Sequence, residues 1–405
     1  MTSERTLSDT SQKKLIVTIY LLSFYCSHGN PLIMPLLPFI AQEFHLKTYE
    51  MGLMITFFAI PGCLIPFIGI LEDRIGRRPM LFSCVIGSML SMAIAGLAPN
   101  YIWLAVCRLF HGLFTTPLEA LVYTLITDYF TQDERAHHVG RATTILFAGV
   151  AFIPVIITGM QYLVSWRLTL LLPVVMGLPV LIFAWESLAV QGHQSDNKLK
   201  QYTSDVFSIT FSRSALAIMF IRMAVAMSLF GIVYLFLPTI VTDVAKVSPH
   251  MVGICFAMTS VTMSLASYST NWHMTNLPPA ITGSYGGILF VFGLICMLTS
   301  SNIYIIIVGL LSCGWVYGLL SAVGTVYYSH LTTPSTRGAL MAIYSMMFRV
   351  AQAVGVTIMG FVFSIGGMTS VMAVGIVLAF LFSTVGGFSY HSLSKKMQHV
   401  QGQRP

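Results

Sequence analysis

A helix that crosses the hydrocarbon of a bilayer needs roughly 20 mostly apolar residues. Runs of that length follow one another along almost the whole of this chain. They read as spans at 15–40, 50–71, 79–98, 101–130, 138–163 and 166–186, then at 214–240, 250–269, 279–300, 302–328, 338–365 and 369–390. The runs are continuous rather than alternating ten-residue pieces, so helices, not barrel strands, satisfy their backbone groups inside lipid. The fold class expected is an all-α membrane protein with twelve transmembrane helices. Composition agrees: only 9% of the residues are charged, against roughly 25% in soluble domains. A soluble chain of 405 residues would have nothing with which to cover its surface.

The net charge of +7 is not that of a nucleic-acid partner, because the basic residues sit in short clusters between apolar runs and form no basic face. Their placement sets an orientation. Fifteen of the 21 Lys and Arg residues fall on the side that holds the N-terminus, and the other side holds only Lys47, Arg167 and Lys246. Both termini are therefore expected in the cytoplasm, with the chain a multi-pass protein of the cell (inner or plasma) membrane. Residues 1–14 are polar and lead into a run too long for a signal-peptide core, so the first span is expected to be retained. The seven cysteines lie inside apolar runs, without C-x-x-C spacing. They imply neither a disulfide framework nor a metal site, and no cofactor is expected.

The longest polar stretch divides the spans six and six: a first bundle at 1–190, a cytoplasmic linker at 191–213 and a second bundle at 214–405. An internal echo supports duplication. Arg135 follows span four and Arg337 follows span ten, about half the chain apart. Two parallel, pseudo-symmetric six-helix bundles are a transporter plan, with the substrate between them near mid-bilayer.

The loop after span two reads Gly69-Ile-Leu-Glu72-Asp73-Arg74-Ile-Gly76-Arg77-Arg78. Positive-inside flanking explains its arginines but not Asp73 or the glycines. Here the chain resembles the major facilitator superfamily, whose signature in this loop is G-x-x-x-D-R-x-G-R-R. Arg108-Leu-Phe-His-Gly112 in span four is similar to the family's R-x-x-x-G element. Gly140, Gly149 and Pro154 in span five match half of its drug/proton antiporter motif, while Ile153, Ile157 and Thr158 replace that motif's glycines. The resemblance implies a conformational switch made of Gly69, Asp73, Arg74, Gly76, Arg77 and Arg78, with Asp73 facing the start of span eleven at Arg337. An anion at a helix N-terminus contributes roughly 0.3–1 kcal/mol, a bias small enough to reverse.

Of the fourteen acids, only Glu119 falls deep in a span. It shares a helical stripe with Arg108, Gly112 and Thr115. A carboxylate at that depth faces a cavity or a partner. Glu119 is thus a proton-coupling or substrate site, or the structural partner of an arginine. Arg222 and Arg349 lie about 9 and 11 residues inside their helices, on the order of 15 Å deep. Three deep arginines and one acid leave two net positive charges, which favours an anionic substrate. Gln352 extends the polar stripe of Arg349; Tyr25 and His28 share a face of span one; Trp315 and Tyr317 are candidate pocket residues.

The function expected is secondary active transport of a small anionic or amphipathic solute (efflux, or organic-anion or siderophore transport) by a monomer that uses alternating access, with the proton as the expected coupling ion. A proton antiporter for amphipathic cations is the alternative. An intramembrane enzyme would need a nucleophile with its base, an acid pair or a metal cluster, and the chain offers none. The absence of G-x-x-x-x-G-K-[ST] excludes ATP hydrolysis by this chain.

Overall fold

The computed structural model describes residues 9–65, 75–130, 132–188, 208–277, 279–331 and 337–401, and the described residues contain helices and no strand. Eight of the helices are long and apolar enough to cross a membrane, and one of these, Ile343–Val385, holds two spans. Its joint is Gly367, at φ 64° and ψ −159°, where only glycine turns cheaply into the left-handed region. Two shorter apolar helices, Tyr49–Leu64 and Tyr285–Thr299, add spans two and nine. The first span completes the twelve.

Span one is not a single rod. It runs as Asp9–Cys26, then Gly29–Ile33, a 3-10 turn at Met34–Leu36, and Leu37–Phe44. Pro31, Pro35 and Pro38 cannot donate to the helical ladder and clash with the preceding turn, so the upper half of the span breaks where the prolines cluster. Span seven, Arg213–Val244, contains π-helical turns at Leu229–Tyr234 and Ile240–Val244. The expected run starting at 138 instead begins a turn and a half earlier, as Gln132–Met160. A polar helical start outside the hydrocarbon carries no hydropathy signal, so boundaries of this kind are invisible to a search for apolar runs.

We call the side on which the helices begin at Asp9 the near side and the opposite one the far side. Spans one to six, closing with Tyr101–Tyr129 (span four), Gln132–Met160 (span five) and Trp166–Ser187 (span six), pack together; so do spans seven to twelve around Ile303–His330 (span ten) and Arg337–Gln401. The linker expected at 191–213 lies outside the described residues as far as 207.

The halves meet along two seams. Span two lies against span eleven: the Thr56 hydroxyl reaches the Ala353 carbonyl and the Thr357 hydroxyl, each at 3.3 Å, and Gly52 packs on Val356 and Leu235. Span five lies against span eight (Met251–Tyr268). At Gly253 an added Cβ would stand 1.7 Å from Thr158 Oγ1 and 2.7 Å from the Pro154 carbonyl oxygen. His250 stacks on Tyr162 at 3.8 Å and faces Phe39 at 5.7 Å. These contacts lie in the far half of the molecule, and at mid-depth the stem of Arg349 packs on Gly62.

Candidate functional site

At the near end of these seams, Glu119 of span four meets Arg349 of span eleven at 3.6 Å. Counting 1.5 Å per residue from the near ends of their helices, both lie roughly 15–18 Å in. The Glu119 side chain is 47% exposed and that of Arg349 15%. The pair therefore bridges the halves, loosely, on an accessible surface. Cys26 and Tyr123 lie within electrostatic range of Glu119, and Tyr317 lies within range of both Arg349 and Arg222.

Aromatic faces supply what the missing acids do not. Arg349 stands 5.5 Å from the centroid of Phe348 and Arg222 5.2 Å from the same ring, so the two cations are at most about 11 Å apart. Arg222 also lies over Tyr344 at 4.5 Å. On the other side, Phe58 is 5.5 Å from Arg349 and 4.5 Å from Arg108. Guanidinium and ring thus alternate across the molecule from Arg108 to Tyr344. A ring face attracts a cation by about 0.5–2 kcal/mol, which softens the cost of three deep arginines without neutralising any of them.

Arg108 stands apart from this surface. It is fully buried and donates to the Met54 and Gly29 carbonyls, the Asn30 Oδ1 and the His111 Nδ1, at 2.7–3.3 Å. Arginine can only donate, so His111 Nδ1 accepts and its Nε2 carries the proton given to His28 Nε2 at 2.8 Å. The Nδ1–H of His28 then donates to the Tyr25 carbonyl. Tyr25 closes the knot by donating to Ser88 at 3.1 Å. This chain of donors ties the Tyr25 and Gly29 carbonyls, on either side of the break in span one, to spans three and four. Tyr25, His28 and Arg108, all candidate substrate or coupling groups, are 0% exposed in this conformation, and their polar atoms are engaged within their own bundle. His111, which the sequence reading passed over, is the link that joins them. Its signal was present: it sits one turn from Arg108, inside the R-x-x-x-G element.

The remaining candidates divide. Tyr317 borders the central cluster through Phe348 and Phe230. Gln352 is buried, and its Oε1 has no hydrogen-bond partner among the described residues. Trp315 is half-buried near His273, 6.3 Å away, and does not join the Glu119 cluster in any described contact. Of the loop signature, Gly69, Asp73 and Arg74 lie outside the described residues, so the contact of Asp73 with span eleven does too. Gly76 adopts φ 93°, a conformation that favours glycine, and Arg77 opens span three. Arg78 lies over Trp185 at 4.5 Å and donates to its carbonyl at 3.3 Å. Arg337 is the first residue of span eleven. Among the described residues no group of His, Cys, Asp and Glu could hold a metal ion.

The sequence model of the Major Facilitator Superfamily matches residues 16–279 and 219–400. The chain belongs to this superfamily. Among curated relatives, the D-galactonate transporter of Escherichia coli is 31% identical over 130 residues, 32% of this chain and 30% of that protein. The bacillibactin exporter of Bacillus subtilis is 25% identical over 127 residues, 30% of this chain and 32% of that one. The chain thus matches about a third of the length of such relatives. A bacterial homologue of the human lysosomal transporter Spinster, solved inward-facing and unoccupied, superposes with a TM-score of 0.76 at 14% identity, over 96% of this chain and 99% of that one. A nucleoside transporter does so at 0.74, also at 14% identity, over 94% and 99%. These likenesses establish the fold: twelve helices in two six-helix bundles.

Proposed function

We propose that this superfamily member is a proton-coupled carrier of organic anions, with Arg222 and Arg349 as the substrate cations and Glu119 as the proton site. One observation carries the reading: Glu119 from one half is the resident counter-ion of Arg349 from the other, at mid-depth on an exposed surface. A substrate carboxylate arriving at Arg349 competes for the same N–H groups. The Glu119 carboxylate displaced from its cation is the group that carries the proton in this reading. Anion and proton then load together. The near side is taken as cytoplasmic, on the bias of Lys and Arg, and the far seams as the closed outer gate of an inward-open state. The division into two bundles joined by a linker at 191–213, and action as a monomer, belong to the same reading.

The printed names of relatives, a sugar-acid transporter and a siderophore exporter, accord with an anionic solute; direction is left to experiment. Export of amphipathic cations is the second reading, favoured by the aromatic faces around an exposed carboxylate.

Uptake into proteoliposomes without ATP tests both. An imposed pH gradient should drive accumulation of a dicarboxylate such as adipate, and a proton ionophore should collapse it. Glu119→Gln should still bind adipate but lose its response to the gradient. Gradient-driven accumulation by the Gln variant, or pH-driven movement of lipophilic cations with none of anions, would overturn the proposal.

A further inference from the structure

Beyond the Glu119 pair, the second half carries another set of polar groups that its own packing leaves unanswered. Arg222 Nε is buried without a hydrogen-bond partner among the described residues. The Tyr344 hydroxyl lies within hydrogen-bonding reach of the Arg222 guanidinium, and the Tyr328 hydroxyl is buried without a partner among the described residues. The two tyrosines are 2% and 0% exposed. Their rings stack at 4.6 Å and 19°, and the Arg222 guanidinium lies over the outer face of the pair, 4.5 Å from the Tyr344 centroid. Buried hydroxyls and guanidinium N–H groups normally find partners, and leaving one unmade costs about 1–3 kcal/mol. Two such donors of two chemical kinds, Arg222 Nε and the Tyr328 hydroxyl, are gathered with Tyr344 from spans seven, ten and eleven around a guanidinium that pairs with no acid among the described residues.

We propose that Arg222, Tyr344 and Tyr328 form a second anion subsite, distinct from Arg349, and that the transported substrate is therefore a dianion with two separated acidic groups. This rests on the reading of Glu119 and Arg349 given above. The charges make the case. A monoanion settles on Arg222 and leaves the Glu119–Arg349 pair intact, with the site neutral and no proton taken up. A dianion sets its first group on Arg222 and its second on Arg349, at most about 11 Å away. Among Arg222, Arg349 and Glu119, with Arg108 held apart on the acceptors of its own bundle, neutrality then returns only if Glu119 departs as the carboxylic acid. Proton coupling is thus a consequence of the second acidic group. The titratable and charged groups in range of Glu119 are Arg349, Arg222, Tyr123 and Cys26. Neither Tyr123 nor Cys26 needs to change charge.

The test compares adipate with hexanoate, probes of equal carbon count, by calorimetry on the full-length protein in nanodiscs, above the range where the probes themselves titrate. Adipate should bind at least about tenfold more tightly, and its affinity should fall by up to about tenfold per pH unit once Glu119 is ionised. Hexanoate affinity should stay flat. In the double variant Tyr344→Phe with Tyr328→Phe, which keeps both rings, and in Arg222→Gln, adipate should lose that advantage and its pH dependence. An unchanged advantage in both variants overturns the subsite. Equal, pH-independent binding of the two probes to the wild type overturns the dianion, while hexanoate binding that responds to Arg349→Gln would still support an anion carrier. Failure of both probes to bind the wild type overturns the carrier reading itself.

Discussion

Arg108 and Arg349 both lie deep in their spans, yet their surroundings differ. The N–H groups of Arg108 are spent on neutral acceptors of its own bundle, whereas Arg349 holds a single, exchangeable carboxylate. Replacing Arg108 by Met should therefore act on stability. It removes the donor of the Asn30 Oδ1 and the second donor of the Gly29 and Met54 carbonyls, a loss of about 2–5 kcal/mol, read as a lowered thermal midpoint. Arg349→Gln should unfold close to the wild type and lose anion binding; the reverse pattern would interchange the two assignments. The exhaustive list of acids made Glu119 legible from sequence, and helix depth did the same for Arg222 and Arg349. The rings between them were not legible. Phe58, Tyr344 and Phe348 are common residues in a membrane chain, and only tertiary packing turns their faces toward cations. The burial of Tyr25 and His28 was hidden for the same reason, since sequence gives the face of a helix but not which neighbour covers it.

At the level of elements, hydropathy located the spans well and their irregularities poorly. The break in span one follows from three prolines that were in plain view, but their hydropathy does not interrupt the run. Apolar content gives no sign of the π-helical turns in span seven. Nor does it reveal the closeness of the far seam between spans five and eight, which depends on one residue without a side chain. Gly253→Val places carbon where Thr158 Oγ1 and the Pro154 carbonyl already stand. It should pry the far side open and shift the resting population toward the opposite state. Paired spin labels across that seam should then report longer distances, and unchanged distances would show that the seam does not set the resting state.

For the whole molecule, the central claim is that the two halves share one ion pair and that substrate competes for it. Orientation is checked first, on a background without native cysteines: an impermeant maleimide applied to intact cells should label Ser301→Cys on the far side and spare Ser208→Cys on the near side. Equal labelling of both would refute a cytoplasmic near side. The most direct measurement of the claim itself is the infrared difference spectrum of the purified protein on adding adipate. If the substrate displaces Glu119 from Arg349 and the freed group takes a proton, the spectrum should gain the carbonyl stretch of a protonated carboxylic acid. The band should shift in deuterated water and vanish in Glu119→Gln. Adipate binding with no such band, or with a band that survives Glu119→Gln, would contradict the account.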